Sequence, residues 1–180
     1  MRIISGTYKG KRIIAPKNLP IRPTKDMAKE ALFNILTNKF DFQETKILDL
    51  FSGSGNITYE FISRGSTEIT AVDSHYACVK FIQQTTTNTF NTPIDTIKSD
   101  VFAFLAHTNE KFDIIFADPP YDFSLDKFTE IADLCIENKL LNLNGILIIE
   151  HDTHTDLSVH NCFAESRKYG GTVFSFFKNI

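Results

Sequence analysis

Five short apolar runs punctuate the chain: KILDLF (46–51), EITAVD (68–73), IDTIK (94–98), FDIIFAD (112–118) and GILIIEH (145–151). Each has the length and the Ile/Leu/Val content of a strand covered on both faces. Between them, at 56–64, 76–89, 101–107 and 124–139, apolar residues recur at helical spacing. Strand–helix alternation of this kind predicts an α/β fold with a mainly parallel sheet and helices on both faces. Two last segments, CFAESRKYG and TVFSFFKN, are separated only by the Gly170-Gly171 break. They predict an antiparallel hairpin at the sheet edge. Ahead of the first strand, residues 2–5 and 11–15 flank GTYKG and predict a small hairpin. After a proline-rich loop, Thr24 is a candidate N-cap, and Ala28, Ala31, Leu32, Ile35 and Leu36 mark a helix through about residue 38.

Composition adds little to that picture until charge is divided along the chain. A length of 180 residues suits one domain or one domain with a short extension. No apolar run approaches a membrane span, and the charged start MRIISGTYKGKR does not resemble a secretory signal. Three well-separated cysteines, Cys78, Cys135 and Cys162, read as buried thiols of a cytoplasmic protein rather than a disulfide or zinc framework. The net charge of -3 conceals a division. Residues 1–39 hold nine Lys/Arg against only Asp26 and Glu30, and the remaining 141 residues hold 10 basic and 20 acidic side chains. A basic arm on an acidic body is the electrostatic footprint expected for a polyanion such as nucleic acid. The chain therefore divides into a basic hairpin and helix, 1–39, and a main domain, 40–180. Arg2, Lys9, Lys11, Arg12 and Arg22 are the candidate contacts to such a polyanion.

Ligands of open parallel sheets bind past the carboxyl ends of the strands, at the switch in strand order. The first such end reads Asp49-Leu50-Phe51-Ser52-Gly53-Ser54-Gly55 and leads into a helix. Gly53 and Gly55 permit a tight turn and close backbone approach. Thr58 stands where a dinucleotide fingerprint needs Gly or Ala, and Asp49 would repel a pyrophosphate while suiting an ammonium. Asp73, with Ser74 after it, ends the second run at the place where a carboxylate grips ribose hydroxyls. Asp100 and the backbone of Val101 follow the third, where they can read an adenine edge, although a lone Asp there also serves as a helix N-cap. Phe51 and Phe102 are placed to touch the adenosine ring. Taken together, these residues describe a pocket for S-adenosyl-L-methionine.

The fourth run ends in Asp118-Pro119-Pro120-Tyr121. An exocyclic amine on a nucleobase is a poor nucleophile because its lone pair is delocalised into the ring. A carboxylate and a fixed carbonyl that accept its N–H groups favour the pyramidal transition state. Asp118 supplies the first and Pro119 the second. The two prolines fix φ and add no competing donors, and Tyr121 can stack on an extruded base.

DPPY together with the glycine loop and Asp73 resembles the class I S-adenosylmethionine-dependent amino-group methyltransferases. RIISGTYKGKRI, RPTKD (22–26), KEALFNIL (29–36), DLFSGSG (49–55), SRG (63–65) and RKYGG resemble, more closely, the RsmD family of 16S rRNA guanine-N2 methyltransferases. That resemblance implies a seven-stranded Rossmann-like sheet and a substrate in 16S rRNA or the assembled small subunit. It also implies that Gly53, Gly55, Asp73, Asp100 and Asp118 to Tyr121 line the pocket, with Arg22, Pro23 and Thr24 near the RNA entry. The chain departs from the family pattern at Met27-Ala28-Lys29, at Ser52, and at Asn56-Ile57-Thr58. Methylation of adenine N6 or cytosine N4 in DNA, methylation of adenine in another RNA or of a protein glutamine, and a non-catalytic RNA-binding module are the alternatives. The HxxH pattern at His151 and His154 lacks a third ligand and is expected on the surface, with no metal. The chain is expected to act as a monomer.

Overall fold

The computed structural model describes residues 1–17, 19 and 26–179. Five strands, β1 (Ile47–Leu50), β2 (Ile69–Asp73), β3 (Asp95–Lys98), β4 (Phe112–Ala117) and β5 (Leu141–Asp152), run parallel. The last two, β6 (Phe163–Tyr169) and β7 (Thr172–Phe177), form the expected antiparallel hairpin, with β7 inserted beside β5. Strand order is β3-β2-β1-β4-β5-β7-β6, so the order reverses between β1 and β4. The helices are α1 (Asp26–Thr37), α2 (Asn56–Ser63), α3 (Tyr76–Phe90), α4 (Val101–His107) and α5 (Leu125–Glu137).

The continuous apolar runs become strands because alternate side chains enter two different cores. Ile47, Ile114, Phe116 and Ile148 pack with α1, α2 and α3 on one face. Leu48, Leu50, Ile115, Leu147 and Ile149 pack with α4 and α5 on the other. Each fully buried Phe or Ile in these layers contributes roughly 1.5–3 kcal/mol over its exposed state. Asp49 falls on the α2 face by the same alternation, which sets its chemistry.

Two elements differ from their sequence expectation. Strand β5 starts at Leu141, ahead of the apolar run at 145, because Leu141 pairs with Phe112 before a bulge. Asn144 turns there through φ 65°, and a Cβ on Gly145 would meet the Asn142 carbonyl oxygen at 2.9 Å. The polar Asn142 and Asn144 hide this stretch from a hydrophobic pattern. The N-terminal hairpin is reduced to a single antiparallel bridge, Arg2 to Arg12. Its backbone donors go to α2 instead of to a ladder. Ile4 and Ser5 N–H donate to the Glu60 carboxylate at 2.9 and 3.0 Å, and Thr7 N–H donates to the Ser63 carbonyl at 2.7 Å. Gly6 sits so close to this helix end, at φ +82°, that a Cβ would lie 1.8 Å from the Ser63 oxygen.

The HxxH expectation needs a larger correction. His151 lies on β5 and is buried, with Nε2 2.8 Å from Ser175 Oγ and Nδ1 2.7 Å from the Asp152 carbonyl oxygen. Burial pushes its pKa below the usual histidine value, with the Asp152 carbonyl opposing. Only His154 of the pair is exposed.

Candidate active site

At the β1/β4 switch point lies a cleft of about 670 Å³, in the size range of small-molecule sites. Of the expected cofactor residues, Asp49, Phe51, Gly53, Asp73, Ser74 and Asp100 line it, and so do Asp118, Pro119, Pro120 and Tyr121. Four strand ends thus converge on one cavity. Gly55 and Val101 are placed differently. Gly55 turns the chain into α2 at φ +80°, with the Tyr59 ring occupying the space a Cβ would need. Val101 is buried at the start of α4.

The acidic residues have distinct surroundings. Asp73 braces the glycine loop: Gly53 N–H donates to Oδ2 at 2.8 Å and His75 N–H donates to Oδ1 at 2.8 Å. A carboxylate offers about four acceptor positions, so bracing the loop leaves capacity for ribose hydroxyls. Asp100 lines the cleft and also caps α4, accepting from Ala103 N–H at 3.0 Å. Asp49 is 2 % exposed and takes both the hydroxyl and the N–H of Thr58. Burial pushes its pKa up to about 7; the Thr58 bonds oppose this, and the nearby Asp118 and Asp73 charges reinforce it. Thr58, a departure from the dinucleotide pattern, is therefore the partner of the buried acid.

Phe51 adopts φ 54°, a left-handed conformation that is costly for a bulky residue. Its ring lies 6.5 Å from Phe102 and 5.8 Å from Phe123 in edge arrangements. Lys127 Nζ sits 5.0 Å over the Phe123 ring. Phe123 and Lys127 line the same cleft, as do Ser52, Ser54, Asn56, Ile57, His75 and Phe116. Ser52, Ser54 and His75 fall in the loops after the first two strands, where a site was expected, whereas Asn56, Ile57, Phe116, Phe123 and Lys127 carry no one-dimensional signal for it. In the Asp118–Tyr121 loop, Tyr121 hydroxyl donates to the buried Glu150 carboxylate on the neighbouring strand at 3.3 Å. The donor set suits the cofactor: carboxylates for ribose and ammonium, rings for adenine, and glycine backbone for close approach.

The basic arm is spread along the molecule. Met1 Sδ lies 3.8 Å from Ser54 Oγ at the cleft, and Arg2 pairs with Asp26 at 3.3 Å. Lys11 Nζ donates to the Thr89 carbonyl at 3.2 Å and lies over Tyr8 and Phe90. Thr89 is near the far end of α3, a 15-residue helix that starts beside the cleft-lining His75. The Lys11 ammonium is therefore about 20 Å from the cleft end of α3, by helix rise. Arg12 is exposed beside Arg2. Lys29, counted among the arm's positive charges, is fully buried. Arg22 and Thr24 lie outside the described residues.

Comparison with known proteins agrees with this geometry. The family model described as "Conserved hypothetical protein 95" matches residues 1–178. The chain is 34% identical over 152 residues, 84% of its length and 76% of the relative's, to Ribosomal RNA small subunit methyltransferase D of Buchnera aphidicola. It is 32% identical over 161 residues, 87% of its length and 85% of the relative's, to the putative rRNA methyltransferase YlbH of Bacillus subtilis. The solved structure of the putative methyltransferase yhhF from Escherichia coli shares the fold at TM-score 0.85 and 24% identity, covering 99% of this chain and 97% of that one. With its cleft, its DPPY loop and its full-length match, the chain belongs to this family, that of ribosomal RNA small subunit methyltransferase D, whose members are S-adenosylmethionine-dependent enzymes.

Proposed function

We propose that this protein transfers the methyl group of S-adenosylmethionine to the exocyclic N2 amine of a guanine in 16S rRNA, presented as RNA or as the assembled small ribosomal subunit. The observation that carries the reading is the convergence of Asp118, Pro119 and Tyr121 with Asp49, Asp73 and Asp100 on one cleft. A shared cleft supports reading the first group as amine acceptors and the second as cofactor ligands. Similarity to relatives named for small-subunit rRNA methylation supports the nucleic acid.

In this reading Asp73 holds the ribose, Asp100 and the Phe51/Phe102 rings hold the adenine, and Asp49 faces the amino-acid end. The cofactor supplies an electrophilic methyl on a sulfonium. Asp118 and the Pro119 carbonyl accept the two amine N–H groups, which localises the nitrogen lone pair along the transfer line. As the N–CH₃ bond forms and the S–CH₃ bond breaks, the amine loses one proton to Asp118, which is half-exposed and passes it to water. Tyr121 stacks on the base. Residues 1–39 form the RNA-contacting extension. Supporting this, Arg2 and Arg12 face each other across their bridge, an arrangement that costs stability without an anion and is only partly offset by Asp26. The protein acts in this reading as a cytoplasmic monomer that needs no metal.

The test is methyl transfer from radiolabelled S-adenosylmethionine to small subunits from cells lacking this gene, followed by mapping of the labelled nucleotide. Label is expected on one guanine N2. Asp118→Ala is expected to lose roughly 10²–10³-fold in rate while still binding the cofactor. Label on adenine, DNA or protein overturns the assignment.

A further inference from the structure

We propose that Asn56 is a direct ligand for the carboxylate of the cofactor's amino-acid end, and that Lys29 makes it one by fixing which way its amide faces. Asn56 opens α2 and lines the cleft beside Gly53 and Ser54. Lys29 reaches it from α1 through the core. Its Nζ lies 2.8 Å from Asn56 Oδ1, 2.8 Å from the Arg2 carbonyl oxygen and 3.4 Å from Glu60 Oε2, with the side chain fully buried.

An ammonium has three donors and no acceptor. Three acceptors surround Lys29, so the Asn56 amide must present its oxygen to Lys29. The amide NH₂ is then turned away from Lys29, and the cleft is what Asn56 otherwise faces. Two donors stand there at the start of α2, where the helix's own unbonded N–H groups and its dipole also favour a negative charge. Asp49, bonded to Thr58 one half-turn further on, gives the neighbouring position the opposite preference. A zwitterionic amino acid matches this pair, with its carboxylate toward Asn56 and its ammonium toward Asp49.

A second consequence follows from the same atom. Lys29 also holds the Arg2 carbonyl, so the orientation of the cofactor ligand is tied to the seating of the basic arm. The residue is therefore a positioning residue, and Asn56 the one in contact.

The inference rests on the cleft binding S-adenosylmethionine, and calorimetry separates the two. The probes are S-adenosylhomocysteine, which carries the amino-acid end, and 5′-methylthioadenosine, which lacks it. Asn56→Ala is expected to weaken S-adenosylhomocysteine roughly tenfold, the loss of one hydrogen-bonded charge contact. Asn56→Asp keeps an acceptor for Lys29 but sets a carboxylate against a carboxylate, and is expected to weaken it further. Both variants should bind methylthioadenosine within about twofold of the unaltered protein. Unchanged S-adenosylhomocysteine affinity in Asn56→Asp overturns the proposal, as does a parallel fall for both compounds, which would mark a loop defect. Failure of the unaltered protein to bind either compound overturns the cofactor reading, and this inference with it.

Discussion

Glu60, within α2, and Asp49, bonded to the first turn of α2, are both buried carboxylates, and their surroundings are opposite. Glu60 is enclosed by donors: the N–H groups of Ile4 and Ser5, Arg64 Nε at 3.0 Å and the Lys29 ammonium at 3.4 Å. Among the described residues, Asp49 receives bonds only from Thr58, and its neighbours in charge are two further acids, Asp118 and Asp73. Burial alone would not distinguish them. The partner set does, because a charge fully matched inside the protein has nothing left to recruit, whereas an undermatched one at a cleft favours an incoming cation or a proton. The first carboxylate fastens the N-terminal arm, and the second lines the cleft.

The sharpest way to break this contrast is to remove the cation from the matched site. Lys29→Met leaves Glu60 short of its buried partner and the Arg2 carbonyl short of a donor. Burial already lowers the Lys29 pKa, with Glu60 opposing, so the ion pair and the burial of the lysine are interdependent. The variant is expected to lose about 3–5 kcal/mol, read as a fall in Tm of roughly ten degrees. A Tm within two degrees of the unaltered protein would mean the arm is held by apolar contacts alone.

The undermatched site makes a prediction in pH. Because Asp49 titrates at about 7 in the folded protein against an ordinary 3.8, the native state keeps a proton that the unfolded chain has lost. Stability contributed at low pH is therefore lost as pH rises from about 4 to about 7, at up to roughly 1.4 kcal/mol per pH unit, and is flat above. Asp49→Asn should remove that slope in denaturant unfolding at pH 5 and pH 8. An ammonium ligand favours the ionised form, so cofactor binding below pH 7 should release a proton, measured as a buffer-dependent binding enthalpy. A slope that persists in Asp49→Asn would locate the titration elsewhere.

The smallest effect concerns the surface of the arm. Lys9, Lys11 and Arg12 changed together to Ala should lower the slope of log affinity against log salt for the RNA by roughly one to three. Lys11 already spends its charge on the Thr89 carbonyl and two rings, which places the expectation near the lower end. An unchanged slope would remove Lys9, Lys11 and Arg12 from the RNA interface and leave Arg2, nearer the cleft, as the contact in this part of the arm.

Much of the fold was readable in one dimension because strands buried on both faces are continuous in sequence. KILDLF and FDIIFAD became β1 and β4 with boundaries shifted by a residue at most. What escaped was structure built from polar residues. The Asn142–Asn144 stretch of β5 interrupts the apolar run with two asparagines, and the arm's backbone bonds to α2 instead of forming a ladder. In the site, the acids at strand ends were visible because their positions follow from the sheet. Phe123, Lys127 and Asn56 were not, since each enters the cleft from a helix or loop whose approach depends on packing.

The sequence by itself determined the architecture, the converging strand-end acids and the DPPY loop, since hydrophobic alternation and short-range spacing encode them locally. Only the tertiary structure decided the roles of the buried charges. Lys29 reads as part of a basic surface and lies in the core, and the departures Asn56 and Thr58 turn out to be the partners of Lys29 and Asp49. The physical reason is that a charge's meaning is set by the donors and acceptors around it, and those come from residues dozens of positions away.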